Sequence, residues 1–230
     1  MNLKLLSAGA VKGGVAQLAA AHAFTTGSKV DVEFTQVPKL RQRVAAGERV
    51  DVLVATIGAM DDFAASGAIV SATRALLGRS RVGVVVHQDA PLPDLSDTDA
   101  LKHALLAATA VVHNNASSGI YVAALLEKLG LKLLLSGRIV VVSSGAAIIT
   151  TVAGRGAGSI GMGQISEIRA MIAKGSAAKF AGPLPDAVQN VSTYHAAVAA
   201  TSAVPEAAAA LVNALTSSSA KKTFAATGID

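Results

Sequence analysis

Short apolar, β-branched runs alternate along this chain with stretches whose apolar positions recur every three or four residues. That is the pattern of strands feeding helices around a mainly parallel sheet. Residues 3–7 read as a first strand and residues 14–24 as the helix after it, with Val15, Leu18, Ala19 and His22 at helical spacing and Gly27 as its stop. In residues 29–36, Val30, Val32 and Phe34 alternate with Asp31 and Glu33, which predicts a half-buried strand. Pro38 then opens a helix that runs to Gly47. A strand over 50–55 and a helix around 60–65 make the third such unit.

The second half repeats the alternation. Residues 79–86 predict a long strand, residues 90–94 a stiff loop with two prolines, and Ser96 or Asp97 the cap of a helix reaching Leu106. Strands over 110–113, 138–142 and 159–162 then alternate with helices over 119–129 and 146–153. After a second loop with two prolines at 182–185, the pattern gives a strand over 191–200 and two helices, 205–215 and 218–226. A return to helices after a completed second series suits a chain with two discontinuous lobes. The expected division is 1–81 plus 192–230 for the first and 82–191 for the second.

In open α/β sheets, ligands bind beyond the carboxyl ends of strands, where helix N-termini offer unpaired N–H groups. Five loops qualify by position: 7–14, 35–40, 113–119, 143–147 and 161–166. The first is small and Gly-rich around Ser7 and Ala10, without the spacing of a dinucleotide fingerprint or a P-loop. The second carries Gln36 and Lys39, followed by Arg41 and Arg43, a local positive charge suited to carboxylates or simply a solvated helix face. In the third, Asn115, Ser117 and Ser118 are placed to cap a helix while facing a ligand. Gly145 and Ala146 repeat that arrangement, and Gln164 adds a polar group at the fifth loop. Asn190, Tyr194 and His195 lie where the chain returns to its first lobe. As acid–base groups the candidates are Lys39, His113, Tyr194 and His195.

Composition narrows the chemistry. With 52% apolar and 15% charged residues, the 230-residue chain can bury a large core. It has no Cys, which removes disulfides, thiol nucleophiles and thiolate metal sites together. No His–carboxylate set has metal-ligand spacing, and no cofactor fingerprint is present, so neither a metal nor a cofactor is expected. No apolar run is long enough to span a membrane. The net charge of +5 comes without long basic runs and with only 3% aromatic residues, which argues against nucleic acid and for a small anionic ligand.

At these loops the sequence resembles the periplasmic molybdate-binding protein family and its wider type II extracellular solute-binding relatives. The resemblance runs through residues 7–21, residues 40–52, the Ser117-Ser118-Gly119-Ile120-Tyr121 turn and Gly158-Ser159-Ile160-Gly161. It implies a two-lobed Venus-flytrap α/β fold with a central cleft, a small anion as ligand and a membrane ABC transporter as partner. It also implies a periplasmic location if a signal peptide has been removed, and a cytoplasmic one otherwise. Molybdate-binding members surround the oxyanion with hydroxyl residues in the first two loops, whereas this chain has Ala10 in the first and Thr35-Gln36-Val37-Pro38 in the second. Gln36 and Lys39 suit planar carboxylates better. A similar branch is associated with aconitate isomerase, which implies as an alternative a cofactor-independent allylic proton transfer on an unsaturated tricarboxylic acid.

Overall fold

The computed structural model describes residues 2–230. The chain forms two compact units: residues up to Ser80 together with Ser192–Asp230, and Arg81–Val191. It therefore passes from one to the other twice.

The first unit begins with β1 (Asn2–Ala8), a 3-10 turn at Gly9–Val11 and α1 (Lys12–Thr26), which ends where Gly27 takes a left-handed φ of 66°. It continues through β2 (Lys29–Thr35), α2 (Val37–Ala45), β3 (Val52–Thr56), α3 (Ile57–Ala65) and the first half of β4 (Ala75–His87). The second unit takes the rest of β4, then α4 (Thr98–Ala107), β5 (Ala110–Asn114), α5 (Ser117–Lys128), β6 (Ile139–Val142) and α6 (Gly145–Arg155). It ends with β7 (Ser159–Gln164), α7 (Ile165–Ile172) and β8 (Ala178–Pro183). The chain then returns as β9 (Val191–Val198), α8 (Pro205–Thr216) and α9 (Ala220–Ala226).

Strand order in the first unit is β2-β1-β3-β9-β4, with β1, β2 and β3 mutually parallel and β9 antiparallel to β3. In the second, β4-β7-β5-β6 follow one another, and β8 pairs with the remaining edge of β4. There β5, β6 and β7 are parallel, and β4 runs against both β7 and β8.

Strand periodicity splits the core of each unit into two layers. On one face of the first sheet, Leu3, Leu5, Val52, Val54 and Ala196 pack with Leu211, Leu215 and Phe224; on the other, Leu6, Leu53 and Ala197 pack with Leu40, Met60 and Phe63. In the second unit, Val84, Val111 and Met162 face Leu101, Leu105 and Leu126, while Val85 and Val112 face Ile148, Ile149 and Val152. Strands buried on both faces read as continuous apolar runs, the mark of a sheet with helices on each side.

Two elements depart from the expectation. Residues 161–166 are not a loop: β7 continues to Gln164 and α7 starts at once. The short α7 does carry apolar residues at helical spacing, Ile165, Ile168, Met171 and Ile172, but they begin directly after a strand with no turn residue between, and the edge strand β8 has little alternation of its own. Among the described residues no helix is long and apolar enough to cross a membrane.

Candidate anion site at the strand ends

Parallel strands place their carboxyl ends on one edge of each sheet. In the first unit this edge feeds the N-termini of α1, α2 and α3; in the second it feeds those of α5, α6 and α7. Ser7, His113, Asn114, Ser118, Gln164 and Ser166 are all buried, and all stand at these ends. A buried polar group without a partner costs about 1–3 kcal/mol, so polar residues gathered here need a reason.

In the second unit the expectation that Ser117 or Ser118 caps α5 is corrected. Asn114 Oδ1 accepts from the backbone N–H of Ala116 at 3.0 Å and of Gly119 at 3.1 Å. Only glycine fits at 119, because a methyl group there would lie 1.7 Å from the Asn114 carbonyl oxygen. With the capping done by Asn114, Ser117 and Ser118 occupy the first helical turn, Ser117 exposed and Ser118 only 3% exposed. Among the described residues neither hydroxyl has a hydrogen-bond partner. Asn115 is exposed beside them. At α6 the cap is as expected: Ser144 Oγ accepts from Ala147 N–H at 3.2 Å, and Gly145 and Ala146 form the first turn. Gln164, buried at the end of β7, precedes α7 without capping it by its side chain.

Glu167, in the first turn of α7, escaped the sequence reading. Its carboxylate lies against Gly145, where an added methyl group would come within 2.0 Å of Oε2. Burial alone pushes its carboxyl up to about 7.

In the first unit Ser7 Oγ donates to the Ala8 carbonyl at 3.1 Å, and Ala10 lies in the 3-10 turn leading to α1. Gln36 is the N-cap residue of α2, and Lys39 is exposed in its first turn. Of the two readings of the positive charge on α2, Arg41 and Arg43 follow the helix-face one, each in an ion pair. Arg41 pairs with Asp62 at 2.7 Å, and Arg43 pairs with Glu33 and Glu48. Lys12, at the start of α1, stands 5.4 Å from the centre of the Phe34 ring.

The acid–base candidates fare differently. Lys39 is open to solvent. The Tyr194 ring is buried in the apolar layer with Val54 and Leu211, so the expectation of a residue open to ligand is corrected. His195 lies opposite Ala55 near the end of β3, and Arg74 Nε donates to its Nδ1 at 2.9 Å. The neutral ring therefore carries its proton on Nε2. Burial and then the Arg74 charge lower its pKa, against a smaller raising effect of Asp61, which is paired to Arg74 at 2.7 Å. His113 is buried, with Nδ1 2.9 Å from the Asn114 carbonyl oxygen. A carbonyl only accepts, so Nδ1 carries a proton, and in the neutral tautomer Nε2 is the accepting nitrogen. Asn190 sits in the second unit, its carbonyl accepting from Val82 N–H, and Gln189 braces the same place through hydrogen bonds to both backbone groups of Val82.

The sequence profile of bacterial extracellular solute-binding proteins matches residues 3–230. The chain belongs to this family. An aconitate isomerase of Pseudomonas sp. is 30% identical over 236 residues, spanning 99% of this chain and 87% of that protein. The periplasmic molybdate-binding protein of Azotobacter vinelandii superposes with a TM-score of 0.80 at 19% identity, covering 99% of this chain and 98% of the other. A sulfate-binding protein of Mycobacterium tuberculosis does so at 0.77 and 19%, covering 100% and 86%. At such identities the two structures establish the fold.

One further cavity of this solute-binding family member lies within the second unit, about 700 Å³ in volume, lined by Val86, Pro91, Leu92, Ala104 and Ile160 with His103 and Ser159. None of the candidate ligand residues lines it. It opens at the end of β7 away from Gln164 and is predominantly apolar, the wrong chemistry for an anion. Asn114, Arg74 and Glu167 are the residues beside the candidate groups that the sequence did not single out. Only Asn114 left a signal, an Asn five residues before a glycine at a helix start.

Proposed function

We propose that this chain is a solute-binding protein that captures a small carboxylate anion outside the cytoplasmic membrane for a transporter of the ABC type. The candidate ligand groups are Ser7, the Ala10 backbone, Gln36 and Lys39 at the strand ends of the first unit, and Asn115, Ser117, Ser118, Gly145, Ala146, Gln164 and Asn190 in the second. The observation that carries this reading is at α5: Asn114 takes over the cap, which leaves the hydroxyl of Ser118, a residue only 3% exposed, and its neighbour Ser117 to a ligand at a helix N-terminus. Gln36 and Lys39 favour a planar carboxylate over a tetrahedral oxyanion, because a carboxylate takes directed, charge-assisted hydrogen bonds.

Thermal denaturation with trans-aconitate, cis-aconitate, citrate, molybdate and sulfate tests this. A ligand at a hundred times its dissociation constant adds about 2.7 kcal/mol of stability. The carboxylates raise the midpoint more than either oxyanion; a reversed order would overturn the carboxylate assignment.

The curated relative supports a second reading, an aconitate isomerase that removes a proton beside one carboxylate and returns it along the allylic system. His113 is the base candidate whose geometry fits best, because its Nδ1 is held by the Asn114 carbonyl and the neutral tautomer leaves Nε2 to accept. Proton NMR of trans-aconitate incubated with the protein reports turnover directly: appearance of the cis isomer establishes catalysis, and an unchanged spectrum leaves binding alone.

A further inference from the structure

The second unit holds one acid at its strand ends, and its surroundings are unusual. Glu167 is the third residue of α7, and its carboxylate rests on the first residue of α6, where a side chain at 145 would come within 2.0 Å of Oε2 and 2.5 Å of Oε1. Glycine at 145 is thus what gives the carboxylate its place. An acid at this helical position ordinarily reaches back to the backbone N–H of the N-cap residue. Glu167 does not: among the described residues its carboxylate has neither a hydrogen bond nor an ion pair.

The charged groups on the elements around it do not take that role. The only charged residue of α6 is Arg155, at the far end of that helix, and β7 has none. The single one of β8 is Lys179, and on α7 itself Arg169 lies over the Phe180 ring at 5.8 Å. None of them contributes to the perturbation of Glu167, whose sole cause is burial. A carboxyl group in this state is divided between its two protonation forms near neutral pH.

Gly145 and Ala146 are proposed above as ligand contacts, and the inference that follows rests on that reading. An anion held at the N-terminus of α6 would adjoin the Glu167 carboxylate, and two negative charges in contact cannot both persist in a partly desolvated place. We infer that Glu167 is the proton carrier of the anion site: on ligand binding its carboxylate takes one proton from solvent and donates that hydrogen to a ligand oxygen. The site thereby gains a donor that an ionised carboxylate lacks. It also discriminates: a ligand that accepts a hydrogen bond is favoured as pH falls, while the same site repels it as pH rises.

The test is calorimetric titration of the full chain with trans-aconitate, in pairs of buffers that differ in ionisation enthalpy, for the wild type and Glu167→Gln. The wild type takes up about 0.5 to 0.8 proton more than E167Q at pH 7.5, since a carboxyl near 7 is already about one-quarter protonated there. Its affinity falls about tenfold more than that of E167Q between pH 6 and pH 8, the change expected for a carboxyl near 7 that becomes protonated in the complex. E167Q cancels the ligand's own ionisation, which is common to both. Gly145→Ala, which displaces the carboxylate without removing it, loses the same proton uptake. A difference infrared spectrum of the wild type with carboxyl-labelled trans-aconitate gives an independent readout that needs no variant: a protonated protein carboxyl band rises on binding. Equal proton uptake and equal pH slopes in wild type and E167Q, or no such band, would overturn the inference while leaving anion binding intact. Absence of binding by any anion of the panel to the wild type would overturn both.

Discussion

Glu167 makes stability, as well as binding, depend on pH. Its folded-state pKa of about 7 stands above the ordinary 4.5, so the folded chain holds this proton more tightly than the unfolded one. The stability it contributes is complete below about pH 4.5 and is lost as pH rises through 7, up to about 3 kcal/mol. E167Q therefore melts higher than the wild type at pH 8, and the gap closes by pH 5; a gap that widened toward acid would contradict the assignment. At His195 the sign is opposite. Burial and the adjacent Arg74 keep the ring neutral, so Arg74→Ala raises the His195 pKa by removing a positive charge and leaving Asp61 nearby. An NMR titration of the ring protons in the two proteins measures it. The same geometry limits His195 as a base, because its accepting nitrogen already takes the Arg74 hydrogen bond.

At the scale of elements, the N-terminus of α5 is held by one side chain. Asn114→Ala removes acceptors from two backbone N–H groups and costs about 1–2 kcal/mol in denaturant unfolding. Gly119→Ala is worse, since the clash is with backbone and the cap must open. In the first unit Glu48 accepts from both Arg43 and Lys4, which holds its carboxyl at about 2. Its contribution is present above about pH 4.5 and lost as pH falls toward 2. The pair is partly solvated, so Glu48→Ala costs only about 1 kcal/mol at neutral pH and low salt. These local facts explain what could be read from sequence. The alternation of apolar residues in β1, β2 and β3 and the glycine stop of α1 are one-dimensional signals, and the strands and helices they predict are there. The cap of α5 was misassigned because four residues of capping type, Asn114, Asn115, Ser117 and Ser118, precede Gly119, and only the backbone path decides which one reaches the N–H groups. The contact of Glu167 with Gly145 joins two helices separated by a strand, and no spacing rule encodes it.

At the scale of the molecule, each unit is a sheet covered on both faces, and each brings parallel strands to one edge where helices begin. Buried apolar residues far outnumber the buried polar ones, and most of the latter stand at those edges. Membership of the solute-binding family was legible in the loops, whereas the positive charge expected beside them is largely neutralised within its own helix neighbourhood. The strand ends of the second unit therefore offer neutral donors, hydroxyls and backbone N–H groups, and those of the first offer Lys39 as a cation at the start of α2. Such a set matches a small anion through hydrogen bonds more than through bulk charge, so its affinity should depend only weakly on salt. The most direct test of this account is calorimetric titration with trans-aconitate and with molybdate, on the wild type and Ser118→Ala. The account predicts one tricarboxylate bound per chain, more tightly than molybdate, and about tenfold weaker in S118A, the loss of one hydrogen bond to a charged group. Preferred binding of molybdate, or an S118A affinity equal to that of the wild type, would contradict it.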